Sequence, residues 1–242
     1  DEVPVEGDLQ VRLNAYVEAG GKLILSGISA LQDDGSFAVP AGIRNLGPVE
    51  FSPSYLRASA SLDQSMTTSP FVVYGRALAI TPEGAEVLAE VMPPYFNRTY
   101  AHFSSHAHAP DNVASAPLGA GVTLHKGVGY IAYPIFSIYR AMGQPLYRYI
   151  VRGLLKRLLP DAALETDLPS SGRASLSQQE ARGRHILHLL YGAPQVRGNA
   201  VPTRDGTRVM EMIEDIPAIG PVTAKVRLPS PPRRAFEAVS GE

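Results

Sequence analysis

The sequence predicts an α/β unit with a parallel sheet, followed by a small antiparallel β-sandwich. The first observation is an apolar stripe at helical spacing over residues 9–19, followed by a Gly-Gly pair and the apolar run 22–26. A helix, a glycine turn and a buried strand make half of a βαβ unit, which favours a parallel sheet. The second observation is a change to short alternating runs after Pro160. We therefore predict an α/β domain over residues 1–161 and a β-sandwich over 162–242.

The first residues of the sequence predict a helix, but they do not predict the strand that precedes a helix in a βαβ unit. Asp8 is the predicted N-cap, because its side-chain oxygen can accept a free N–H of the first turn. Glycine after residue 19 predicts the helix end, since it adopts the left-handed conformation found there. Only residues 1–7 precede the helix, and they carry little apolar content. We therefore expect the parallel sheet to be incomplete on its N-terminal side.

The middle of the first domain predicts loops and short strands. Residues 33–70 are rich in Gly, Pro, Ser and Asp, which is typical of a long loop with short strands or turns. Residues 71–80 predict one or two strands, and 85–91 a short strand or helix. The glycines around 122–126 predict a β-hairpin and not a phosphate loop, because no G-x-G-x-x-G or G-K-[ST] motif is present.

A further strand and one long helix complete the first domain. Residues 127–135 predict a strand with glycine at its entry. Residues 139–159 predict a single helix, with an apolar stripe on one face and Arg and Lys on the other, which Pro160 ends. In the second domain, turn residues separate five short runs with period-two alternation, typical of antiparallel strands. These runs are 164–168, 174–178, 185–191, 209–213 and 222–228.

Composition excludes several functional classes. The net charge is -1, with no basic stripe, so we expect neither nucleic acid nor a membrane as partner. No apolar run approaches the roughly 18–20 residues that span a bilayer, and no signal peptide is visible, which predicts a cytoplasmic protein. The absence of cysteine excludes disulfides, zinc–thiolate sites and a cysteine nucleophile. Because there is no Trp, any stacking on sugar would fall to Tyr and Phe.

The segment around three histidines contains the candidate binding residues. His102 and His106 would share a face of a helix, and His106 and His108 a face of a strand, so a three-histidine metal site needs a turn between them. The plainer alternative is that they hydrogen-bond backbone in an ordered loop. A third alternative is a polar loop that reaches the sugar site of a neighbouring domain. We predict no metal and no cofactor, and the candidate substrate-binding residues are Arg98, Tyr100, His102, Ser105, His106 and His108.

Two further groupings do not support catalysis, and we predict no catalytic residue. Ser104 or Ser105 beside His106 could pair a nucleophile with a base, but triads are assembled from distant segments and no G-x-S-x-G elbow is present. The carboxylates of Glu211, Glu214 and Asp215 are close in sequence, but such a group is more often the solvated face of a sandwich than a glycosidase acid–base pair.

Several segments resemble parts of known glycoside hydrolases. Residues 16–26, YVEAGGKLILS, resemble the helix–Gly-Gly–strand segment of the beta-galactosidase trimerisation domain, a flavodoxin-like module related to class I glutamine amidotransferases. Residues 95–110, YFNRTYAHFSSHAHAP, are similar to a segment of a family of hypothetical glycosyl hydrolases that carry the same accessory domain. Residues 185–191 and 211–216 resemble the C-terminal β-domain of those enzymes.

This resemblance implies an accessory role. In such enzymes a TIM barrel precedes the accessory domain and carries the catalytic carboxylates, and this chain has no room for its roughly 250 residues. The resemblance implies a flavodoxin-like domain that mediates homo-oligomer contacts, a C-terminal β-domain, and no hydrolysis of sugar by this chain alone. Amidotransferase chemistry is excluded because it needs a cysteine. The alternative is a free-standing carbohydrate-binding protein or hydrolase that uses the loop from Arg98 to His108.

Overall fold

The structure is a computed structural model that describes residues 1–204 and 206–238. The chain divides into two compact units, Asp1–Pro160 and Asp161–Glu242. The first unit is a mixed α/β structure, and the second consists of small antiparallel sheets. Every buried hydrophobic residue of the described ranges belongs to the first unit, which therefore holds the core. No helix in those ranges is long and apolar enough to cross a membrane.

Helix α1 (Gly7–Glu18) ends at the glycine pair, as predicted. The N–H of Gly20 donates to the Val17 carbonyl at 2.9 Å, and that of Gly21 donates to the Tyr16 carbonyl at 2.8 Å. Gly20 has φ +90°, so the two bonds form a Schellman C-cap around a left-handed glycine. The chain then enters the first strand directly.

The predicted N-cap of α1 is wrong. Glu6 occupies the N-cap position and makes no hydrogen bond with its side chain. Asp8 lies inside the first turn, where its carboxylate pairs with Arg12 one turn later at 2.8 Å. A carboxylate in the first turn still interacts favourably with the helix dipole, which explains how Asp8 fits a helix start without capping it.

The first unit contains eight strands. They are β1 (Leu23–Ser26), β2 (Ile43–Pro48), β3 (Ser54–Ala58), β4 (Phe71–Val73), β5 (Leu78–Pro82), β6 (Glu86–Met92), β7 (Gly119–His125) and β8 (Val128–Ile131). Six of them form one sheet in the order β1-β8-β7-β6-β3-β4, and β2 pairs with β5 in a separate ribbon. The predicted hairpin is β7–β8, and residues 71–80 supply both β4 and β5.

The main sheet is mixed, whereas the sequence predicted a parallel sheet. Only β1 and β8 pair in parallel, with Leu23 opposite Val128 and Ser26 opposite Ile131. The other four pairings of the sheet are antiparallel. The apolar run 22–26 correctly indicates that β1 is buried. Burial does not determine whether more distant strands run parallel or antiparallel, because that depends on how the strands are connected.

The predicted long helix is divided in two. Helix α2 (Ile135–Met142) ends at Gly143, which has φ +65°, and α3 (Pro145–Leu158) begins with proline at its first position. Gln144 caps α3 by accepting the N–H of Leu146 at 3.4 Å. Glycine after one helix and proline at the start of the next is the usual sequence pattern for such a break. The apolar face of α3 packs on the core through Tyr147, Ile150, Leu154 and Leu158.

Three buried tyrosines connect the core to distant backbone. The Tyr130 hydroxyl donates to the Gly27 carbonyl at 2.9 Å, and the Tyr147 hydroxyl donates to the Val72 carbonyl at 3.2 Å. The Tyr133 hydroxyl lies 2.8 Å from the Ser54 hydroxyl. Burial raises the pKa of all three side chains, so they remain protonated donors.

Asp63 ties the loop between β3 and β4 to helix α3. Its side chain is 4% exposed, and its Oδ2 accepts two hydrogen bonds from Arg152, at 3.0 and 2.8 Å. Its Oδ1 accepts bonds from the N–H and hydroxyl of Ser65. Burial acts to raise the pKa of Asp63, but the bonds from Ser65 and Arg152 outweigh it and lower the pKa to about 2.

Within residues 161–204 and 206–238, the second unit has eight short strands in four antiparallel pairs. The pairs are β9 (Leu164–Thr166) with β16 (Ala224–Val226), β10 (Arg173–Gln179) with β11 (Arg184–Leu190), β12 (Gln195–Val196) with β15 (Glu211–Met212), and β13 (Val201–Thr203) with β14 (Gly206–Arg208). Each of the five predicted runs contains a strand. The hydrophobic side chains described in this unit are half-buried or exposed, so the unit consists of ladders and lacks the buried layer of the predicted sandwich.

Replacing Asp63 by asparagine should destabilise the first unit by about 1–3 kcal/mol, because Arg152 loses its charged partner. The folded-state pKa of Asp63 lies below the ordinary 3.8, so its contribution is present above about pH 4 and is lost as the pH falls through about 2. The difference between wild type and Asp63→Asn should therefore shrink on acidification. Urea unfolding at neutral and acid pH measures it.

The control is Glu83→Gln, which removes an exposed ion pair with Arg44. That substitution should cost less than about 1 kcal/mol, because both groups remain solvated. Equal effects of the two substitutions at neutral pH would contradict a special role for Asp63.

Candidate functional site

The candidate residues lie in a long loop between β6 and β7 that closes at its base. The N–H of Tyr95 donates to the Pro110 carbonyl at 3.0 Å, and that of Asn112 donates to the Pro93 carbonyl at 2.8 Å. Pro94 and Asp111 also form an isolated β-bridge. We call residues 95–110 the histidine loop. Compact loops whose ends meet in this way are frequently functional.

Side chains outside the loop hold its base on the sheet. The Tyr55 hydroxyl, from β3, donates to the Ala109 carbonyl at 2.7 Å. Burial and, to a smaller extent, the nearby charge of Asp111 raise the pKa of Tyr55, so its hydroxyl stays protonated. Asn97 donates to the Glu50 carbonyl at 3.0 Å and accepts the N–H of Ser52 at 3.3 Å. The base of the loop is therefore fixed from two sides.

His108 belongs to this anchored base. Its Nδ1 lies 2.8 Å from the hydroxyl of Tyr74, and which atom donates depends on the histidine tautomer. Its ring lies edge-on to Tyr74 at 5.4 Å and to Tyr55 at 6.0 Å between centroids. The Ser104 hydroxyl donates to the His108 carbonyl at 3.3 Å. His108 therefore holds the loop in place through a side-chain bond to Tyr74, whereas the plainer alternative had the histidines bond to backbone.

His102 is also engaged within the loop. Its imidazole stacks on Phe96, with centroids 3.9 Å apart and ring planes at 15°. The backbone N–H of His102 donates to the Thr99 hydroxyl at 3.1 Å and to the Thr99 carbonyl at 3.3 Å. Arg98 donates to the Ala107 carbonyl at 3.3 Å, which uses part of its guanidinium for the shape of the loop.

The other candidate residues point away from the anchored base. Tyr100 is 99% exposed, and Ser105 and His106 are exposed and form no hydrogen bond with another residue that the structure describes. Two aromatic side chains that the sequence analysis did not single out, Tyr95 and Phe103, are 58% and 64% exposed. Because the chain has no Trp, an aromatic residue in this loop was a sequence signal that could have identified both as candidate sugar contacts.

The structure does not bring the three histidines together as a metal site. His102 stacks on Phe96, His108 bonds to Tyr74, and His106 is exposed. Among residues 1–204 and 206–238, no group of three His, Asp or Glu side chains is placed to hold a metal ion.

The two groupings that the sequence analysis considered for catalysis are also separated. Ser104 bonds to the backbone of His108 and not to the His106 ring. In the second unit Glu214 forms a bidentate pair with Arg197, with contacts of 2.7 and 3.0 Å. Glu211 and Asp215 are exposed, which matches the solvated face preferred for this segment.

Two surface cavities of the first unit lie outside the histidine loop. One, of about 480 Å³, is lined by residues 34–37, 39–45 and Glu83. The other, of about 320 Å³, is lined by residues 57–60, Thr68 and part of β6. Neither is the pocket lined by the loop that a free-standing binding protein of the predicted kind would need. The exposed tip of the loop lies outside both of these cavities and can make contacts with another molecule.

Comparison with solved structures relates this chain to glycoside hydrolases. It is similar to alpha-L-fucosidase isoenzyme 2 from Paenibacillus thiaminolyticus, with 31% identity and a TM-score of 0.83 over 94% of this chain and 33% of that chain. The chain therefore spans about a third of the length of that enzyme. No protein-family model matches the sequence, and no curated protein matches it.

Two beta-galactosidases are more distant structural neighbours. One is from Rahnella sp. R3, with 15% identity and a TM-score of 0.47 over 85% of this chain and 30% of that one. The other is Gan42B, a GH42 beta-galactosidase from G. stearothermophilus, with 14% identity and a TM-score of 0.46 over 92% and 30%. The neighbours named here are all glycoside hydrolases, and the fucosidase alone places the fold of this chain among glycoside hydrolase domains.

Replacing Asn97 by alanine should loosen the histidine loop without unfolding the sheet. The substitution leaves the Glu50 carbonyl and the Ser52 N–H without their partner, and each lost bond is worth about 1 kcal/mol. Amide hydrogen exchange within residues 95–110 should become faster, as measured by mass spectrometry. Arg12→Gln is the control, because its ion pair with Asp8 is exposed and lies outside the loop. Unchanged exchange in Asn97→Ala would show that the base is held without this side chain.

Proposed function

We propose that this chain is a non-catalytic accessory region of a glycoside hydrolase. The observation that supports this most strongly is its similarity to a solved alpha-L-fucosidase over 94% of this chain and only 33% of the enzyme. About two thirds of that enzyme therefore has no counterpart here. A catalytic domain in the remaining part would leave this region free to contribute assembly contacts and a binding loop.

Four carboxyl groups of the first unit are bound in ways that support a non-catalytic role. Glycoside hydrolysis needs a general acid, whose pKa is usually raised so that it carries a proton near neutral pH. The Asp34 pKa is lowered by hydrogen bonds from Ser36, and that of Asp63 is lowered to about 2 as described above. Glu86 and Glu90 pair with Arg157 and Arg57. Asp34 and Asp63, whose pKa values are lowered, are unsuited to donate a proton to a glycosidic oxygen, and the other two carboxylates are held in ion pairs.

The histidine loop is suited to complete a sugar site on another domain. Its base is fixed by Tyr55, Asn97 and His108, so the exposed side chains at the tip are presented in a defined position. Tyr100 can stack on the apolar face of a sugar ring, and His106 can exchange hydrogen bonds with hydroxyl groups. This proposal retains Tyr100, Ser105 and His106 as substrate contacts and assigns His102 and His108 to positioning.

We also propose that the first unit is a trimerisation-like, amidotransferase-related module. Helix α1, the glycine turn and the parallel pair of β1 with β8 are the elements such a module would share. Apolar side chains on the outer surface of α1 are exposed, among them Val11 at 67% and Tyr16 at 51%. We therefore include homo-oligomer contacts through the first unit in the proposal.

The isolated chain should not hydrolyse aryl α-L-fucosides or β-D-galactosides above the rate in buffer. In a longer polypeptide that joins this chain to a catalytic domain, Tyr100→Ala and His106→Ala should each lower kcat/KM by about 10- to 100-fold, because each removes a contact to the sugar. Release of nitrophenol from the aryl glycosides measures the rate. Arg98→Gln should change kcat/KM little, since Arg98 bonds within the loop.

Turnover by the isolated chain would contradict the accessory role. Wild-type kcat/KM in both loop variants would remove the loop from the proposed site while leaving the accessory role in place. The alternative function, a free-standing carbohydrate-binding protein that uses the loop, requires binding by the chain alone. Calorimetry with fucose and galactose should give heat that disappears in Tyr100→Ala if that alternative holds.

Size-exclusion chromatography with light scattering tests the oligomer. We expect a mass that rises above that of a monomer with protein concentration, and Val11→Ser should shift it back toward the monomer because it removes exposed apolar area. Leu190→Ser, which changes an equally exposed side chain of the second unit, is the control. A monomer at every concentration would contradict assembly through this chain alone.

A further inference from the structure

The larger surface cavity has the composition of a small polar binding site. Its volume of about 480 Å³ falls within the range of roughly 300–1,000 Å³ that small-molecule sites occupy. It is lined by residues 34–37, 39–45 and Glu83, and we call it the Asp34 cleft. We propose that the Asp34 cleft binds a neutral monosaccharide, independently of the histidine loop.

The acidic wall of the cleft is already ordered. The Asp34 Oδ1 accepts the N–H of Ser36 at 2.9 Å and its hydroxyl at 2.6 Å, which leaves Oδ2 available. The turn that carries them is closed by the N–H of Gln32 on the Ser36 carbonyl at 2.8 Å, with Gly35 at φ +83°. Hydrogen bonds from Ser36 lower the Asp34 pKa, so the carboxylate is an acceptor for sugar hydroxyls at neutral pH.

Arg44 supplies donors to the same cavity. Arg44 Nε bonds to Glu83 Oε1 at 2.9 Å, and both side chains are more than half exposed, so the terminal amino groups of Arg44 are accessible to a ligand. Glu83 is fixed to the cleft by its backbone, because its N–H donates to the Gly42 carbonyl at 2.7 Å.

An aromatic ring completes the cleft. Phe37 is half-buried and lies edge-on to the buried Tyr130, with centroids 5.1 Å apart and ring planes at 72°. The part of the ring that remains accessible offers an apolar surface for the C–H face of a sugar. An accessible aromatic surface together with acceptors and donors in one cavity suits a ring with hydroxyl groups at its rim.

The charges of the lining favour an uncharged ligand over an anionic one. Asp34, Glu83 and Arg44 are the charged side chains of the cleft, two negative and one positive. An anion would meet net repulsion, while a neutral sugar can use both the acceptors and the donors. A cationic amino sugar would also be attracted, and the experiment separates it from a neutral one.

Heteronuclear NMR of the complete chain tests the proposal with galactose, fucose, glucosamine and glucuronate as probes. Galactose or fucose should shift the backbone amides of Gly35, Ser36 and Gly42, with saturation. Arg44→Gln and Glu83→Gln should each weaken that binding by about tenfold or more, because a charged hydrogen-bonding group is lost. Arg57→Gln breaks a comparable ion pair, with Glu90, in the other cavity and should leave the affinity unchanged.

Three outcomes would overturn the proposal. They are no shift at these amides with either neutral sugar, saturation by glucosamine alone, and equal affinity in wild type and Arg44→Gln. None of them bears on the histidine loop, because the Asp34 cleft contains no residue of that loop. Conversely, loss of the accessory function assigned to the loop would leave binding in the cleft unaffected.

Discussion

The position of the candidate site depends on the hydrogen bonds that the Tyr133 hydroxyl makes. This hydroxyl lies beyond the end of β8 and meets the Ser54 hydroxyl at 2.8 Å and the Tyr55 carbonyl at 3.3 Å, at the start of β3. In the sheet these strands are separated by two others. Because an unpaired hydroxyl in the core costs about 1–3 kcal/mol, this contact fixes where β3 begins. Tyr55, which lies in β3, then anchors the loop because its hydroxyl donates to the Ala109 carbonyl.

One part of the histidine loop is fixed by contacts with neighbouring residues, and the other part is exposed to solvent. His102 and His108 are occupied by ring contacts and hydrogen bonds, whereas Tyr100 and His106 are free to meet another molecule. Fixing the base lowers the entropy that would be lost if the whole loop became ordered on binding. The same arrangement explains why a cluster of three histidines in sequence does not form a metal centre.

Local signals predicted most of the local structure, apart from the N-cap of α1 and the break between α2 and α3, whereas the direction of the sheet depends on non-local pairing. The glycine end of α1 and the β7–β8 hairpin follow from neighbouring residues. The split between α2 and α3 was also visible locally, in Gly143 and Pro145, but the apolar spacing across it concealed the break. The direction of the sheet could not be derived, because pairing partners are set by connections and packing. The partner of His108, Tyr74, lies 34 positions away in the chain, and no pattern links the two.

The closed base of the histidine loop has a consequence for protein engineering. Backbone bonds between residues 93–95 and 110–112 join the two ends of the loop before it leaves the sheet. A segment whose ends already meet can be lengthened at little additional cost in closure entropy, which grows only slowly with length. The region around Tyr100 is thus a natural insertion point, where a foreign peptide or reporter domain could be grafted while β6 and β7 keep their pairing.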